Sequence, residues 1–293
     1  MALFGQKLDI LDIFDEKWQK RFAEPSVLGS MLREYGVSFV EFAIGEETDR
    51  ELILQAARIF SAEGIFLSLH PHFYKSLSPE IFDKSRIPEL QRFLETVRKA
   101  AEITRVPMPL VFHGGRAEWD PFFRPLDNAL ASSKAFFRWI DQTVVDNYGD
   151  IIPVCETQIP WSVSNRGMVR LGDTYKSCLE LIDGTGIGIC WDFGHTFRAS
   201  SIGKQEDYPD DHFLSRVRHV HAHDTVQTPS GPEDHYPLDE GFAPWKEYCA
   251  ELARHEYDDT VLLEVNPMRY RDLREFLQGT SDNISSLKSY FPV

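Results

Sequence analysis

Short apolar runs alternate along the chain with longer stretches in which apolar residues lie three and four positions apart. Seven runs are rich in β-branched and aromatic residues, as in buried strands, and an eighth, weaker run lies near residues 7–11. The seven lie at residues 38–43, 65–70, 109–113, 151–156, 187–192, 217–223 and 260–265. The stretches with helical spacing include residues 89–103, 132–145, 245–254 and 273–287.

This alternation of strands and helices is typical of parallel βα units. Eight strands in 293 residues predict an α/β fold, a single-domain (β/α)8 TIM barrel over residues 1–293, since this fold usually takes about 250 residues or more. A doubly wound open sheet is the alternative. No G-x-G-x-x-G follows the first strand and no G-x-x-x-x-G-K-[ST] occurs in the chain, so a nucleotide-binding open sheet has no support.

The amino-acid composition makes nucleic acids and membranes unlikely partners. The chain has 31 Lys and Arg residues against 46 Asp and Glu residues, a formal net charge of -15, which makes nucleic acid binding an unlikely function because it depends on basic residues. No apolar run reaches the roughly 20 residues that span a bilayer, and the N-terminus carries acids where a signal peptide carries basic residues. We therefore predict a cytoplasmic protein with no membrane segment.

Metal-binding or acidic side chains stand at the carboxyl ends of the predicted strands. They are His70, His113, Glu156, Asp192, His221, His223 and Glu264. In a (β/α)8 barrel these ends meet at one mouth, where the catalytic residues of this fold lie. Buried carboxylates raise each other's pKa unless a cation neutralises them, so the set predicts a divalent metal. Mixed histidine and carboxylate ligands favour zinc, manganese, cobalt or iron over calcium.

The spacing within two motifs supports a shared cavity. Asp192 and His195 stand three apart in WDFGH, across a strand-to-loop turn, so both can face the same cavity. In HVHAHD, residues 219, 221 and 223 alternate and share one face of a strand. Cys155 and Cys190 lie just before two of the strand ends, and we expect both thiols to point toward the helices as inert packing.

A series of motifs between residues 38 and 268 resembles the xylose isomerase-like TIM-barrel superfamily: FHGG, CET, WDFGH, HVHAHD, DHYPLDEG and LLEV. That superfamily includes sugar isomerases and epimerases, inosose dehydratases and endonuclease IV. In its epimerase-like members Glu, Asp, His and Glu from four successive strands hold one divalent metal. The matching residues here are Glu156, Asp192, His221 and Glu264. The resemblance implies manganese, zinc, cobalt or magnesium as the ion.

The resemblance also implies roles for individual residues. Glu156 and Glu264 would act as acid and base, moving a proton on the carbon next to a carbonyl while the metal polarises substrate oxygens. His195 would hold a substrate hydroxyl, and His223 would contact the substrate or support a ligand. We therefore predict a divalent-metal-dependent isomerase or epimerase of a small sugar or keto-polyol. A keto-sugar dehydratase or lyase is a close variant, since loss of the same proton can lead to elimination.

Endonuclease IV resembles the chain in a different way, because it adds ligands to form a three-zinc cluster. The matching additional residues are His70, His113, His195, Glu233 and His235, with Glu233 standing where that family has aspartate. A zinc phosphodiesterase is therefore the second prediction. Against it, TQIPWS follows Glu156 where the endonuclease has a Gly-Gln-Gly signature. The segment HAHDTVQTPSGPEDHYPLDEG also resembles the isomerase loop more closely, with Asp239 in place of the usual glycine.

Two side chains in loops after strand ends are candidates for substrate binding. Trp161 would form a wall for a sugar ring, and Arg198 would receive a phosphate or carboxylate through a bidentate contact. Packing and surface ion pairing are the alternatives for these residues. We expect a small sugar or polyol as the partner and leave a homo-oligomer open. A barrel that has lost its chemistry and serves as a binding protein is a third functional class.

Overall fold

The computed structural model describes residues 2–118, 125–145, 147–160, 168–229 and 231–291. Eight parallel strands form a closed barrel, in which each strand pairs with the next one along the chain and the last pairs with the first. They are β1 (Leu3–Asp9), β2 (Phe39–Gly45), β3 (Phe66–His72), β4 (Met108–Phe112), β5 (Ile151–Glu156), β6 (Gly188–Asp192), β7 (Val217–Ala222) and β8 (Thr260–Leu263). The predicted (β/α)8 TIM barrel is confirmed.

Helices lie between the strands and cover the barrel. They are α1 (Ile10–Ile13), α2 (Glu16–Arg21), α3 (Pro25–Glu34), α4 (Arg50–Ala62), α5 (Ile87–Thr104), α6 (Pro125–Ile140), α7 (Tyr175–Leu181), α8 (Phe193–Ser201), α9 (Asp211–Leu214), α10 (Trp245–Arg254) and α11 (Leu273–Lys288), with short 3-10 turns at Pro79–Ile81, Lys84–Arg86 and Pro267–Arg269. The predicted helix at 245–254 is confirmed at both ends. The helix predicted at 132–145 begins earlier, at Pro125, and its last turn, Asp141–Val145, is π-helical.

Several of these helices are preceded by an aspartate that caps the first turn. Asp49 accepts a hydrogen bond from the backbone N–H of the second residue of α4, and Asp272 accepts one from the third residue of α11. These N–H groups have no partner within the helix, so the aspartates stabilise the first turn. In the part of the chain that the structure describes, no helix is both long and apolar enough to cross a membrane.

Two short antiparallel strand pairs follow barrel strands on the side where the carboxyl ends of the barrel strands meet. One pairs Arg116–Glu118, after β4, with Met168–Arg170, after β5. The other pairs Asp224–Thr228 with Gly231–Tyr236, both after β7. These strand pairs therefore add side chains from outside the barrel strands to the mouth of the barrel.

Apolar side chains close the floor of the barrel beneath this mouth. Phe39, Phe66 and Leu262 pack together inside the barrel, and the rings of the two phenylalanines stack with centroids 5.2 Å apart. Gly5 of β1 faces Phe39, and a Cβ atom at Gly5 would lie 2.5 Å from the ring. The lack of a side chain at position 5 therefore provides the space that the Phe39 ring fills.

We expect Gly5→Ala to lower the free energy of unfolding by about 1–3 kcal/mol, because an added methyl group in a packed interior forces neighbouring side chains to move. Urea denaturation followed by circular dichroism measures this change. Gly149→Ala is the control, since a Cβ atom at Gly149 meets no atom within 4 Å. Equal stability of the two variants would show that the barrel floor is not tightly packed.

Candidate metal centre

Inward-facing side chains from four neighbouring strands meet in a buried cluster at the mouth. Glu156 ends β5, Asp192 ends β6, His221 lies near the end of β7 and Glu264 follows β8, and each is at most 2% exposed. Potential ligand atoms of Glu156, Asp192 and His221 lie within 4.8 Å of one another. His221 Nδ1 lies 3.0 Å from Glu264 Oε2. The structure thus brings together the predicted ligand set, whose coordination of a metal stays a prediction.

The junction of β6 and α8 fixes Asp192. Asp192 Oδ1 accepts a hydrogen bond of 2.7 Å from the His195 backbone N–H, so this carboxylate caps the first turn of α8. The Asp192 backbone N–H donates to Thr157 Oγ1 at 2.8 Å. Asp192 Oδ2 lies 3.8 Å from His221 Nδ1. One aspartate therefore starts a helix and also presents an oxygen to the cluster.

His70 and His113, the predicted additional ligands, lie against Glu156. Their Nε2 atoms are 3.0 and 3.2 Å from Glu156 Oε2 and 2.9 Å from each other. Ligand atoms of a tetrahedral zinc ion lie about 3.3 Å apart, given zinc–nitrogen bonds of about 2.0–2.1 Å. The spacing of the two rings and the carboxylate is therefore close to that of a metal site. Tyr74 Oη lies 3.0 Å from His113 Nδ1 and holds the far side of that ring.

His195, His223 and His235 form a second histidine cluster, with potential ligand atoms within 4.8 Å of one another. His223 is engaged at both ring nitrogens, because Nδ1 accepts a hydrogen bond of 3.1 Å from the His235 backbone N–H and Nε2 lies 3.0 Å from Asp192 Oδ1. His223 thus supports Asp192, and a contact of His223 with substrate stays a prediction.

His195 lies beside two of the predicted metal ligands. His195 Nδ1 is 3.2 Å from Glu156 Oε1 and 3.4 Å from Asp192 Oδ2. Burial alone would lower the pKa of His195, but Asp192 and Glu156 raise it to about 9. The ring is therefore a hydrogen-bond donor at neutral pH, which suits the predicted role of holding a substrate hydroxyl.

Two neighbouring acids on the hairpin strand Gly231–Tyr236, Glu233 and Asp234, differ in exposure and in partners. Glu233 is 43% exposed, and Glu233 Oε2 accepts a hydrogen bond of 3.0 Å from Tyr236 Oη. Asp234 is only 7% exposed and pairs with Arg198 at 2.5 Å. Burial raises the pKa of Asp234, but the charges of His195, His223 and Arg198 lower it below its usual value, so Asp234 lies near the second histidine cluster. Metal binding by Glu233 and substrate binding by Arg198 stay predictions.

Lys7 and Glu41 belong to the cluster but do not stand at strand ends, the positions on which the sequence prediction relied. Lys7 of β1 forms an ion pair with Glu264, and Glu41 of β2 is fully buried 3.0 Å from His221 Nε2. Both continue an inward-facing alternation that begins at Gly5 in β1 and at Phe39 in β2. That alternation is the sequence signal that identifies them.

A cavity of about 230 Å³ adjoins the cluster. Its lining includes Lys7, Asp234, His235 and Asn266. Lys7 contacts Glu264, and His235 Nε2 lies 3.5 Å from Glu264 Oε1. The cavity therefore opens beside one of the two predicted catalytic glutamates.

The two predicted catalytic carboxyls are ionised, and the cluster contains buried polar atoms without a well-aligned hydrogen bond. Burial raises the pKa of the Glu156 and Glu264 carboxyls, but His113 and His70 around Glu156, and Lys7 and His221 around Glu264, hold both values well below the usual range. Both groups are therefore carboxylates at neutral pH. Among the described residues, Glu156 Oε2, Glu264 Oε2 and His221 Nδ1 have no well-aligned hydrogen bond. A divalent cation would satisfy these atoms, so the donor set fits the predicted metal.

Cys190 points into the barrel, so the prediction that it faces the helices is wrong. It packs against Val154 in the barrel interior and lies beside His221. Residues two apart on a strand share a face, so Cys190 points the same way as Asp192. Burial raises the pKa of the Cys190 thiol well above its usual value, which leaves the thiol protonated and unreactive.

The loop after the hairpin strand Gly231–Tyr236 keeps a glycine-like backbone at Asp239, where the usual pattern has glycine. Asp239 has φ of 68°, in the left-handed region that glycine favours and aspartate tolerates. Its carboxylate pairs with Lys246 at 2.7 Å. The loop backbone can therefore follow the same path with aspartate at position 239 as with glycine. Trp161, the other candidate in a loop, lies outside the described residues.

Comparison with known proteins agrees with this architecture. Residues 30–289 match the family described as Xylose isomerase-like TIM barrel, whereas no curated protein gives a significant sequence match. Similar solved structures include D-psicose 3-epimerase with D-tagatose from Clostridium cellulolyticum H10 (11% identity, TM-score 0.63, 100% of both chains covered). Others are 3-keto-D-glucoside 4-epimerase from E. coli (15%, 0.64, 99% of this chain and 100% of that chain) and AP endonuclease, family 2, from Brucella melitensis (15%, 0.61, 100% of both). These likenesses show the shared fold, and the family match shows that the chain belongs to the xylose isomerase-like TIM barrel family.

Proposed function

We propose that the protein is a divalent-metal-dependent isomerase or epimerase that moves a proton on the carbon next to the carbonyl of a small sugar or keto-polyol. The main support is the meeting of four side chains from successive strands in one buried cluster: Glu156, Asp192, His221 and Glu264. Three carboxylates and one imidazole suit manganese, cobalt, zinc or magnesium. The names of the D-psicose and 3-keto-D-glucoside epimerases with the same fold support a sugar as substrate.

In this proposal Glu156 and Glu264 transfer the proton. They enter the cluster from different strands, β5 and β8. One carboxylate removes the proton from the substrate carbon, and the other returns a proton after it has taken one up from Lys7 or from solvent. A bound divalent cation would polarise the substrate oxygens and make the C–H bond more acidic. Lys7 and His235 hold Glu264, and His70 contacts Glu156, which directs each carboxylate.

The same residues also allow a substrate with an anionic group, and a reaction that ends in elimination instead of isomerisation. His195 is proposed to hold a substrate hydroxyl, Trp161 to form a wall for the sugar ring, and Arg198 to bind an anionic group. If a hydroxyl leaves from the neighbouring carbon after proton removal, the enzyme is a keto-sugar dehydratase or lyase, and mass spectrometry shows a product lighter by one water. A cytoplasmic location and a homo-oligomer stay predictions.

Elemental analysis of protein purified without added metal or chelator tests the proposal. We expect about one divalent ion per chain, as for a site with a single set of four ligands. Asp192→Asn should lose the ion, whereas Asp173→Asn should retain it, because Asp173 is buried and pairs with Lys204 instead. A wild-type chain that holds no ion after incubation with manganese, zinc, cobalt and magnesium would overturn the proposal.

Metal-loaded protein should also exchange a substrate proton. In D2O, a panel of ketoses and keto-polyols should yield a compound that incorporates deuterium next to its carbonyl, which proton NMR detects. Chelator should stop the exchange. Deuterium incorporation that continues in the ion-free Asp192→Asn variant would show that the proton transfer does not need this centre.

A zinc phosphodiesterase is the second candidate, and the close spacing of His70, His113 and Glu156 favours it. It predicts about three zinc ions per chain and chelator-sensitive cleavage of a DNA duplex with an abasic site. Lack of cleavage by fully zinc-loaded protein would reject this candidate. The net charge of -15 already disfavours DNA as a substrate.

A further inference from the structure

Glu41 lies inside the barrel, next to the metal centre but outside its predicted ligand set. Its side chain is completely buried on β2. Glu41 Oε2 accepts a hydrogen bond of 2.6 Å from Ser68 Oγ and lies 3.0 Å from His219 Nε2. Thr260 Oγ1 lies 2.6 Å from His219 Nδ1 and holds that ring in turn. Contacts from β3 and β7 therefore fix one oxygen of Glu41 and leave Oε1 for other partners.

Glu41 Oε1 contacts two histidines on the sides that face away from the metal-binding carboxylates. His221 Nε2 lies 3.0 Å from Oε1, while His221 Nδ1 lies 3.0 Å from Glu264 Oε2. His70 Nδ1 lies 3.4 Å from Oε1, while His70 Nε2 lies 3.0 Å from Glu156 Oε2. A proton on His221 Nε2, which faces Glu41, leaves the lone pair of His221 Nδ1 directed at the centre. His70 is outside the ligand set, and its Nε2 can donate to the Glu156 carboxylate while its Nδ1 faces Glu41.

We propose, on the basis of the metal centre in the proposed function, that Glu41 is a positioning residue that sets the ring orientation and tautomer of His221 and holds the ring of His70 against Glu156. Among the described residues, Glu41 Oε1, His221 Nε2 and His70 Nδ1 are in contact without a well-aligned hydrogen bond. One carboxylate on β2 thereby links a histidine of β3 to a histidine of β7.

Glu41→Gln tests this role, because glutamine keeps the shape of the side chain and removes its charge. We expect the Kd for Mn²⁺ or Zn²⁺, measured by isothermal titration calorimetry, to rise about 10–100-fold, the usual cost of losing such a partner of a ligand histidine. Glu41→Asp should recover part of the affinity. Ser68→Ala is the matched control, since it removes the hydrogen bond to Oε2 and leaves the Oε1 contacts in place, so it should cost less affinity.

The results of these experiments distinguish a failure of the proposed role of Glu41 from a failure of the proposed function. Equal Kd values for wild type and Glu41→Gln would overturn the role of Glu41 and leave the metal centre standing. A wild-type protein that binds no divalent ion would reject the proposed function itself. A role of Glu41 in packing alone would lower the melting temperature of the metal-free variant without changing its Kd.

A second measurement needs no change at position 41, in case Glu41→Gln does not fold. Nitrogen-15 NMR of zinc-loaded protein with labelled histidines reports which ring nitrogen carries the proton. We expect the proton on Nε2 of His221, with the His70→Ala spectrum used for assignment. A proton on His221 Nδ1 would overturn the proposal.

Discussion

Glu264→Gln should lower kcat about 10²–10⁴-fold, which is the usual contribution of a positioned acid or base. Glutamine keeps the volume of the side chain and a carbonyl oxygen for Lys7, but its amide cannot take up a proton at neutral pH. Initial rates of deuterium exchange, with the ketose found in the panel, measure the effect. Circular dichroism and the melting temperature show that the variant is folded.

Two histidine variants serve as the comparison for Glu264→Gln. His70→Ala and His113→Ala should keep a substantial fraction of the activity, because in a one-metal centre these side chains lie against Glu156 and outside the four-ligand set. Equal losses in all three variants would reject the one-metal centre. That result would favour the three-zinc phosphodiesterase, in which both histidines bind metal.

Removing the divalent ion with a chelator should abolish turnover and lower the melting temperature. An ion present at 100 times its Kd stabilises the folded state by about 2.7 kcal/mol. In a domain of this size that corresponds to about 4–5 °C. Differential scanning calorimetry with and without Mn²⁺ measures the shift, which reverses when the ion is returned.

The ion should stabilise the protein through the proposed ligands alone. Asp192→Asn should therefore show almost no change in melting temperature when Mn²⁺ is added. Asp173→Asn should respond as wild type does, because Asp173 pairs with Lys204 and does not belong to the ligand set. A wild-type melting temperature that does not respond to any of the four proposed ions would contradict a specific metal centre.

The fold was predictable because its signals are local. Seven strands and four of the longer helices are marked by periodicity within a few residues, and the order of strands and helices leaves a closed parallel barrel as the simplest arrangement. The first strand was located less well, since the run at 7–11 only overlaps β1. The histidines and acids at strand ends were predictable for the same reason, since the fold itself brings those ends to one mouth. Helix ends were less predictable: α6 begins at Pro125, ahead of the apolar spacing that indicated it.

The choice between Glu233 and Asp234 needed the structure. The hairpin that carries them has an irregular register between Asp224 and Val226, and His235 has φ of 63°. Both features interrupt the simple alternation of side chains along a strand, so the motif alone could not show which acid turns inward.

By itself, the sequence determined the barrel, its order of strands and helices, and the acids and histidines that stand at its mouth. Only the tertiary structure decided which ring nitrogens and oxygens face each other, and that Lys7 and Glu41 join the cluster. Lys7 and Glu264 are 257 positions apart, and Glu41 and His219 are 178 positions apart. They meet because the barrel closes β1 against β8 and directs alternate side chains inward, a constraint that no local pattern contains.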